Sequence, residues 1–355
     1  PIHLDGSIDA GGNDVTINSQ LPAGSNSSRA VTFGVNTEIK TSGAGTVSIT
    51  GDASNSTISG GSAWGVTFRN GNLIQTENGA ITITGAGGES SNNSRGIVSD
   101  GQDFKILSAS GAITLTDALP EGKTSYSGFF LRPSSSNGIV LGSDGSTVLS
   151  GGSTASSSDI TIAADRATFT SQNTLVSTSG VVSVESVGSV FTDSLEAANL
   201  EIEASSSGPS QVTIGKSTNT AKVVTGSVTA AGPISIYGDE IELQGDLDSS
   251  AGNGDILLEA PTSLAALTSD RTLSSGSGDV TLTTDFLKMN ESQVVIDSTG
   301  SFTLEPAGSA FSGYATTFDL AGSLSGGDFI GSGDAAGLRI NNVSSLTGLT
   351  FGKDG

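Results

Sequence analysis

Cysteine is absent from the 355 residues, and histidine, methionine and tryptophan occur once each. The missing thiols exclude a disulfide framework, thiol nucleophiles and cysteine-ligated zinc. His3 is the sole imidazole, so the abundant serines have no general base with which to form a hydrolytic triad. Aromatic residues make up 5% of the chain and all hydrophobic residues 34%. That is little for a compact globule but enough for a narrow aliphatic core. Basic residues are scarce as well: 14 Lys and Arg face 36 Asp and Glu, for a net charge of −22. Such a surface repels nucleic acid and anionic lipid, so neither is an expected partner. The charge is also uneven, with 12 acids and 7 bases in residues 1–150 against 24 and 7 in residues 151–355. No apolar run of transmembrane length and no phosphate-binding loop leading into a helix is present.

What the chain has instead is glycine, 50 residues of it, and much serine. That bias alone would suit a disordered chain, but a patterned apolar face overrules it. Val15-Thr16-Ile17, Val47-Ser48-Ile49, Ile81-Thr82-Ile83 and Ile113-Thr114-Leu115 recur at spacings of 32, 34 and 32. Gly45, Gly79 and Gly111 stand two residues before the last three. A second phrase keeps step: Val31-Thr32-Phe33, Val66-Thr67-Phe68, Ile97-Val98-Ser99 and Phe129-Phe130-Leu131. Short apolar-polar-apolar triplets at such a period are the signature of a solenoid. Alternation continues in Ile160/Ile162, Val182/Val184, Ile234/Ile236, Val280/Leu282 and Phe302/Leu304, with Gly, Ser, Asn and Asp clusters between them. This is the grammar of strands and turns. Only residues 193–199 have helical propensity, over too short a stretch to form a helix alone.

Beyond residue 141 the rhythm tightens. Ile160 to Val182, Ile234 to Ile256 and Val280 to Phe302 are each 22 residues, and Ile256 to Val280 is 24. Such a length accommodates three short strands and three turns, one rung of a β-helix, and the longer period fits the same rung with a corner loop. Ala86 to Arg95 is one such loop. The expected fold is therefore all-β: a right-handed parallel β-helix of roughly 14 rungs, about 65 Å long. Residues 1–141 carry the ~32-residue repeats with longer corner loops, and residues 142–355 the ~22-residue rungs. The Ser/Gly run 142–158 marks the change of rhythm within one continuous rod. Two distant echoes support a common frame: Ile2 to Asp9 matches Ile241 to Asp248, and Val212 to Lys216 matches Leu349 to Lys353. The chain opens on Pro1 and its last phrase stops at Gly355, so a piece of a longer protein is expected.

The phrase Gly79-Ala80-Ile81-Thr82-Ile83-Thr84-Gly85, its Ser/Asn/Gly loop and the returning Arg95-Gly96-Ile97 resemble the large secreted adhesins of the filamentous haemagglutinin type. So does Val212 to Thr220, followed by Ala231-Gly232-Pro233-Ile234-Ser235-Ile236. The resemblance covers nearly the whole chain. It implies a right-handed parallel β-helix, export through an outer-membrane transporter and display on a bacterial surface. It transfers no catalytic residue and names no ligand.

Candidate sites follow from the remaining residues. Trp64, Phe68, Tyr126 and Phe130, with Arg69, Arg95 and Arg132, cluster on or beside the second phrase. Adjacent rungs would bring them to one side of the rod, where rings stack on sugars or contact peptide. The competing reading places Phe68 and one of Phe129 and Phe130 in the core. Asp239, Glu240, Asp246 and Asp248 lie close in sequence and are a candidate calcium set, although turn chemistry explains such acids more simply. Glu201/Glu203 and Glu240/Glu242 share a strand face pairwise, the arrangement a glycoside-cleaving acid–base pair needs. No cluster of Arg, Lys, His and aromatics accompanies them, which favours solvated charges that oppose edge aggregation. The outward ladder beside the anchors reads Ser48/Thr50, Thr82/Thr84 and Thr114/Thr116, then drifts to Ser183/Glu185, Glu201/Glu203 and Leu257/Glu259. That drift argues against a flat ice-binding array. His3 replaces Glu242 in the first echo, an outward position unsuited to catalysis. Asn26, Asn55, Asn92, Asn290 and Asn342 open Asn-x-Ser/Thr triplets, which chance supplies in a chain this rich in hydroxyls.

The expected function is that of a non-enzymatic piece of a secreted or surface-displayed bacterial adhesin, requiring no cofactor. Its expected partner is a glycan or protein on a host or neighbouring cell. The alternatives are a polysaccharide-acting enzyme on the same fold and a self-associating extracellular filament.

Overall fold

In the computed structural model three parallel β-sheets run side by side along one axis, and successive strands of the chain visit them in rotation as far as Ser301–Glu305. The structure describes residues 1–25, 28–56, 62–88, 94–117, 128–135, 138–149, 152–170, 173–203, 208–289, 292–311, 328–330, 337–341 and 343–352. The first sheet has 11 strands, from Ile2–Leu4 to Leu287–Met289; the third has 12, from Val15–Gln20 to Gly348–Phe351. The second has 13, and its last member, Asp328–Ile330, pairs antiparallel with Gly337–Asn341. The described residues thus form a parallel β-helix of eleven complete turns, with a twelfth represented by strands in two sheets. Against the roughly fourteen rungs expected, the described residues supply eleven or twelve parallel strands to each sheet. A 22-residue rung holds over only part of the chain, because the insertions at the corners are longer than the rhythm of the second half implies.

The repeated phrases occupy equivalent positions. Val15, Val47, Ile81, Ile113 and Ile160 stack in the third sheet in unshifted register. Val31, Val66, Ile97 and Phe129 stack in the first. The echo at offset 239 puts Ile2 and Ile241 in one column of the first sheet, and that at 137 puts Val212 and Leu349 in one column of the third. Period-two alternation decides what is buried. In Val47–Asp52, Val47 and Ile49 are enclosed whereas Ser48 and Thr50 are half-exposed. Burying one such Val or Ile contributes about 1.5–3 kcal/mol, and repetition along the axis joins these residues into one core from Ile17 to Ile340. Within it Phe33, Phe68 and Phe104 stack, with ring centroids 5.0 and 4.3 Å apart. The stretch with helical propensity instead supplies a strand, Leu195–Ala197, because its apolar residues fit the ladder.

The corner between the second and third sheets explains the recurrent glycines. A Cβ at Gly79 would lie 2.0 Å from the Gly45 carbonyl oxygen, and one at Gly111 would lie 1.9 Å from that of Gly79. Gly278 and Gly300 repeat the arrangement against Gly254 and Gly278, at 2.4 and 2.3 Å. Side chains are excluded because backbone packs on backbone. Buried hydroxyls line the same corner: Thr41 donates to the Gly45 carbonyl at 2.6 Å, Ser249 to Gly254 at 2.6 Å and Ser275 to Gly278 at 2.7 Å. A carbonyl lacking a ladder partner is thereby satisfied inside the rod.

The described parts of the Ser/Gly run, residues 143–149 and 152–158, do not interrupt the rod. Ile113–Asp117 pairs directly with Ile160–Ala163, and Ile139–Gly142 with Thr174–Ser177, so the ladder is continuous across the change of rhythm. The inserted segment lies against the outer face of the second sheet, where Leu149 packs on Leu107, Val140 and Leu175. Lys105 pairs with Asp144 at 2.5 Å and anchors it.

Aspartates tie each turn to the next. Asp14, Asp103, Asp159, Asp165, Asp246, Asp255, Asp270, Asp279 and Asp285 each accept a backbone N–H from the following turn, as in Val181 to Asp159 at 2.8 Å. Hydrogen bonds from the Thr46 amide and hydroxyl lower the pKa of Asp14. Burial opposes ionisation of Asp103, but hydrogen bonds from the hydroxyls and amides of Ser134 and Ser135 outweigh it and lower its pKa.

Two expectations follow. Gly79→Ala destabilises the rod by about 1–3 kcal/mol, the cost of overpacking, measurable by urea unfolding against Gly12→Ala, whose Cβ meets open space. The folded pKa values of Asp14 and Asp103 lie below the ordinary value of 3.8. Their stabilisation is therefore complete above pH 3.8 and is lost as the pH falls through the folded values. An acid titration followed by circular dichroism locates the loss, and Asp103→Ala removes the Asp103 contribution.

Candidate functional site

The first sheet carries an uneven outer face. The column that alternates with the core reads His3, Thr32, Thr67, Val98, Phe130 and Thr168, of which Thr32, Thr67 and Val98 are buried. Alternation therefore turns Phe129 into the core and Phe130 out of it. Near the start of these strands Arg29, Trp64 and Arg95 are in register on three successive turns. The Arg29 guanidinium lies 4.6 Å from the Trp64 ring centroid. Those of Arg95 and Arg132 lie 5.6 and 5.9 Å from the Phe130 centroid. Such contacts contribute about 0.5–1 kcal/mol each where water reaches them. Arg132 also pairs with Asp100, and Arg166 with Asp193. Arg69 and Arg132 are exposed; Arg29, Trp64, Arg95 and Phe130 are half-buried. Burial, with the charge of Arg69, lowers the pKa of Arg29. Burial and then Arg166 lower that of Arg95, although Asp117 opposes the shift.

Five of the seven arginines, Arg29, Arg69, Arg95, Arg132 and Arg166, thus lie in or beside one sheet over five consecutive turns. Of the residues expected to cluster, Trp64, Arg95, Phe130 and Arg132 lie in strands of the first sheet and Arg69 just beyond one of them. Phe68 is withdrawn from that set: it is 1% exposed and stacks between Phe33 and Phe104. Tyr126 lies outside the described residues. Arg29 and Arg166 escaped the sequence reading, though Arg29, Trp64 and Arg95 each stand two residues before the repeated apolar position.

The candidate calcium set does not assemble. Glu240 opens the strand Glu240–Leu243 of the first sheet, whereas Asp246 and Asp248 flank and end Leu247–Asp248 of the second, around a corner. Asp239 accepts the Thr262 hydroxyl, Asp246 the Thr272 amide, and Asp248 the amide and hydroxyl of Ser250. Among the described residues, no group of three or more acids, histidines or cysteines converges on a common point.

The two glutamate pairs also separate in role. Glu242 is 8% exposed and accepts from Lys222 at 2.6 Å and Gln244 at 2.7 Å. Burial opposes its ionisation, but these hydrogen bonds and the Lys222 and Lys288 charges lower its pKa. Its hydrogen bond in turn raises the pKa of Lys222, against the effect of burial. Glu201 and Glu203 lie on the outer face of the second sheet, with Asn173 donating to Glu201 at 2.7 Å. Burial and the neighbouring Glu201 raise the pKa of Glu203. This pair does not belong to the threonine ladder of the third sheet. There Thr82, Thr114, Thr161, Ser183, Thr213 and Ser235 continue in register to Thr281 and Thr303, interrupted by Leu257. Paired hydroxyls on a half-exposed face are favourable strand neighbours and account for the ladder. His3 is exposed beside Asp5 in the outward column expected for it. The Asn55 side chain donates to the Leu21 carbonyl.

No family model, curated protein or solved structure matches the chain. The likeness to filamentous haemagglutinin-type adhesins rests on the repeat phrases themselves.

The ion pair gives a direct check on the role of Glu242. Lys222→Met strands a nearly enclosed carboxylate and destabilises the rod by about 1–2 kcal/mol, less than a fully buried pair because water reaches Lys222. Glu240→Gln changes stability by less than about 0.5 kcal/mol. Thermal unfolding of the two variants separates them.

Proposed function

We propose that the chain is a rigid section of a secreted or surface-displayed bacterial adhesin, without enzymatic activity, that holds a binding strip away from the cell. The observation that carries this reading is the confinement of the arginine–aromatic strip to one sheet of a rod whose backbone ladder continues along its length. Binding surfaces repeated along a stiff fibre gain avidity from individually weak contacts. Three sheets with continuous ladders supply the stiffness without disulfides. The partner is a glycan or protein on a host or neighbouring cell, and export follows the outer-membrane route implied by the resemblance. A polysaccharide-cleaving role is the weaker reading, since Glu242 is engaged by Lys222 and Gln244.

Beads coated with the purified chain are expected to adhere to cells above an uncoated control, and Trp64→Ala is expected to reduce that adhesion. Acidic and neutral polysaccharides incubated with the chain stay uncleaved. Cleavage that disappears in a Glu201→Gln/Glu203→Gln variant would instead establish the enzyme.

A further inference from the structure

The strip has a chemical selectivity of its own. Resting on its reading as a binding surface, we propose that it takes an acidic glycan whose carboxylates are spaced by neutral sugar rings.

Three features carry this choice. The strip follows the rod axis for five turns, about 20 Å at the usual strand spacing, and alternates charge with ring: Arg29, Trp64 and Arg95 in one register, then Arg95, Phe130 and Arg132. Among the described residues, Arg29, Arg69 and Arg95 have no carboxylate within ion-pairing distance, unlike Arg132 and Arg166. A planar guanidinium matches a carboxylate through two parallel hydrogen bonds, and an aromatic face matches the apolar side of a sugar ring.

The second feature is burial. Arg29, Trp64, Arg95 and Phe130 are half-buried, and the Nε atoms of Arg29 and Arg95 are enclosed without a hydrogen-bond partner. The side chains are therefore held in place before a ligand arrives, which reduces the ordering cost of binding.

The third is what surrounds the strip. Peptides that bind sheets characteristically add a strand to a free edge and take main-chain hydrogen bonds. The strands that carry this strip are paired on both sides, so recognition there falls to side chains. A densely charged polyanion meets the field of a chain with net charge −22, together with Asp100 and Asp117 nearby. A sparsely charged glycan presents each arginine with one carboxylate and each ring with a neutral sugar.

The test uses the full chain and a hyaluronan octasaccharide, in which uronate and neutral hexosamine alternate. Its carboxyl-reduced form, heparin of equal length and an oligo-glutamate peptide serve as comparisons, by calorimetry at fixed salt. Hyaluronan is expected to bind, and carboxyl reduction to weaken binding by about tenfold or more. Arg69→Ala weakens it severalfold without shifting the melting temperature, and Trp64→Ala weakens it severalfold at a temperature where the variant remains folded by circular dichroism, whereas Arg271→Ala, far along the rod, leaves it unchanged. Absence of hyaluronan binding, equal affinity for the carboxyl-reduced form, or wild-type affinity in both strip variants overturns the inference. Tighter binding of heparin or of the peptide overturns it too, assigning the strip to dense polyanions or to protein. Bead adhesion that persists without hyaluronan binding sinks this inference alone, and loss of both sinks the adhesin reading with it.

Discussion

The structure depends on one spacing. Each turn must sit a strand's width above the last, in unshifted register, so that every ladder amide meets a carbonyl of its neighbour. A residue type that suits one position then suits the same position throughout. Aliphatic columns, the glycine corner with its buried hydroxyls and the aspartates that accept amides from the next turn are consequences of that repetition. The corners are the only places where extra chain can leave the ladder without breaking it. Residues 143–149 leave at such a corner and lie back over the second sheet through Val148 and Leu149.

The same constraint decides what the sequence discloses. Ile81, Ile113 and Ile160 are legible because the register repeats in them without a shift. Phe68 and Phe130 look alike in sequence, but their parity within the strand separates a core ring from a surface ring. Insertions escape the period, so the repeat length alone does not give the number of turns. Three sheets share one alternation, so the triplet around Glu201 and Glu203 was assigned to the threonine ladder although it belongs to another face. Asp239 and Asp246 are neighbours along the chain, yet a corner intervenes, and closeness in a solenoid sequence is a poor guide to closeness in space. Arg29 was recoverable from its offset to the repeated valine. The hydroxyls of Thr41, Ser249 and Ser275 were recoverable from the glycine that follows each a few residues later.

The excess of acid acquires a structural account. Many carboxylates are caps for backbone amides, a task that a neutral side chain such as Asn253 performs as well when it accepts from Ser277. Charge is the by-product of choosing aspartate for turns. Against this background the five arginines in or beside the first sheet set that sheet apart chemically from its neighbours.

The aspartate caps also have a direction. Among the described residues, every aspartate that accepts a backbone amide from another turn accepts it from the later one. A partly wound rod therefore presents waiting acceptors at its carboxyl-terminal front, ready for the donors of the segment that comes next. Winding from the amino terminus meets a prepared template at each step, whereas winding from the other end lays down donors first. The molecule has a grain, and a chain that emerges from a pore amino terminus first would fold along it.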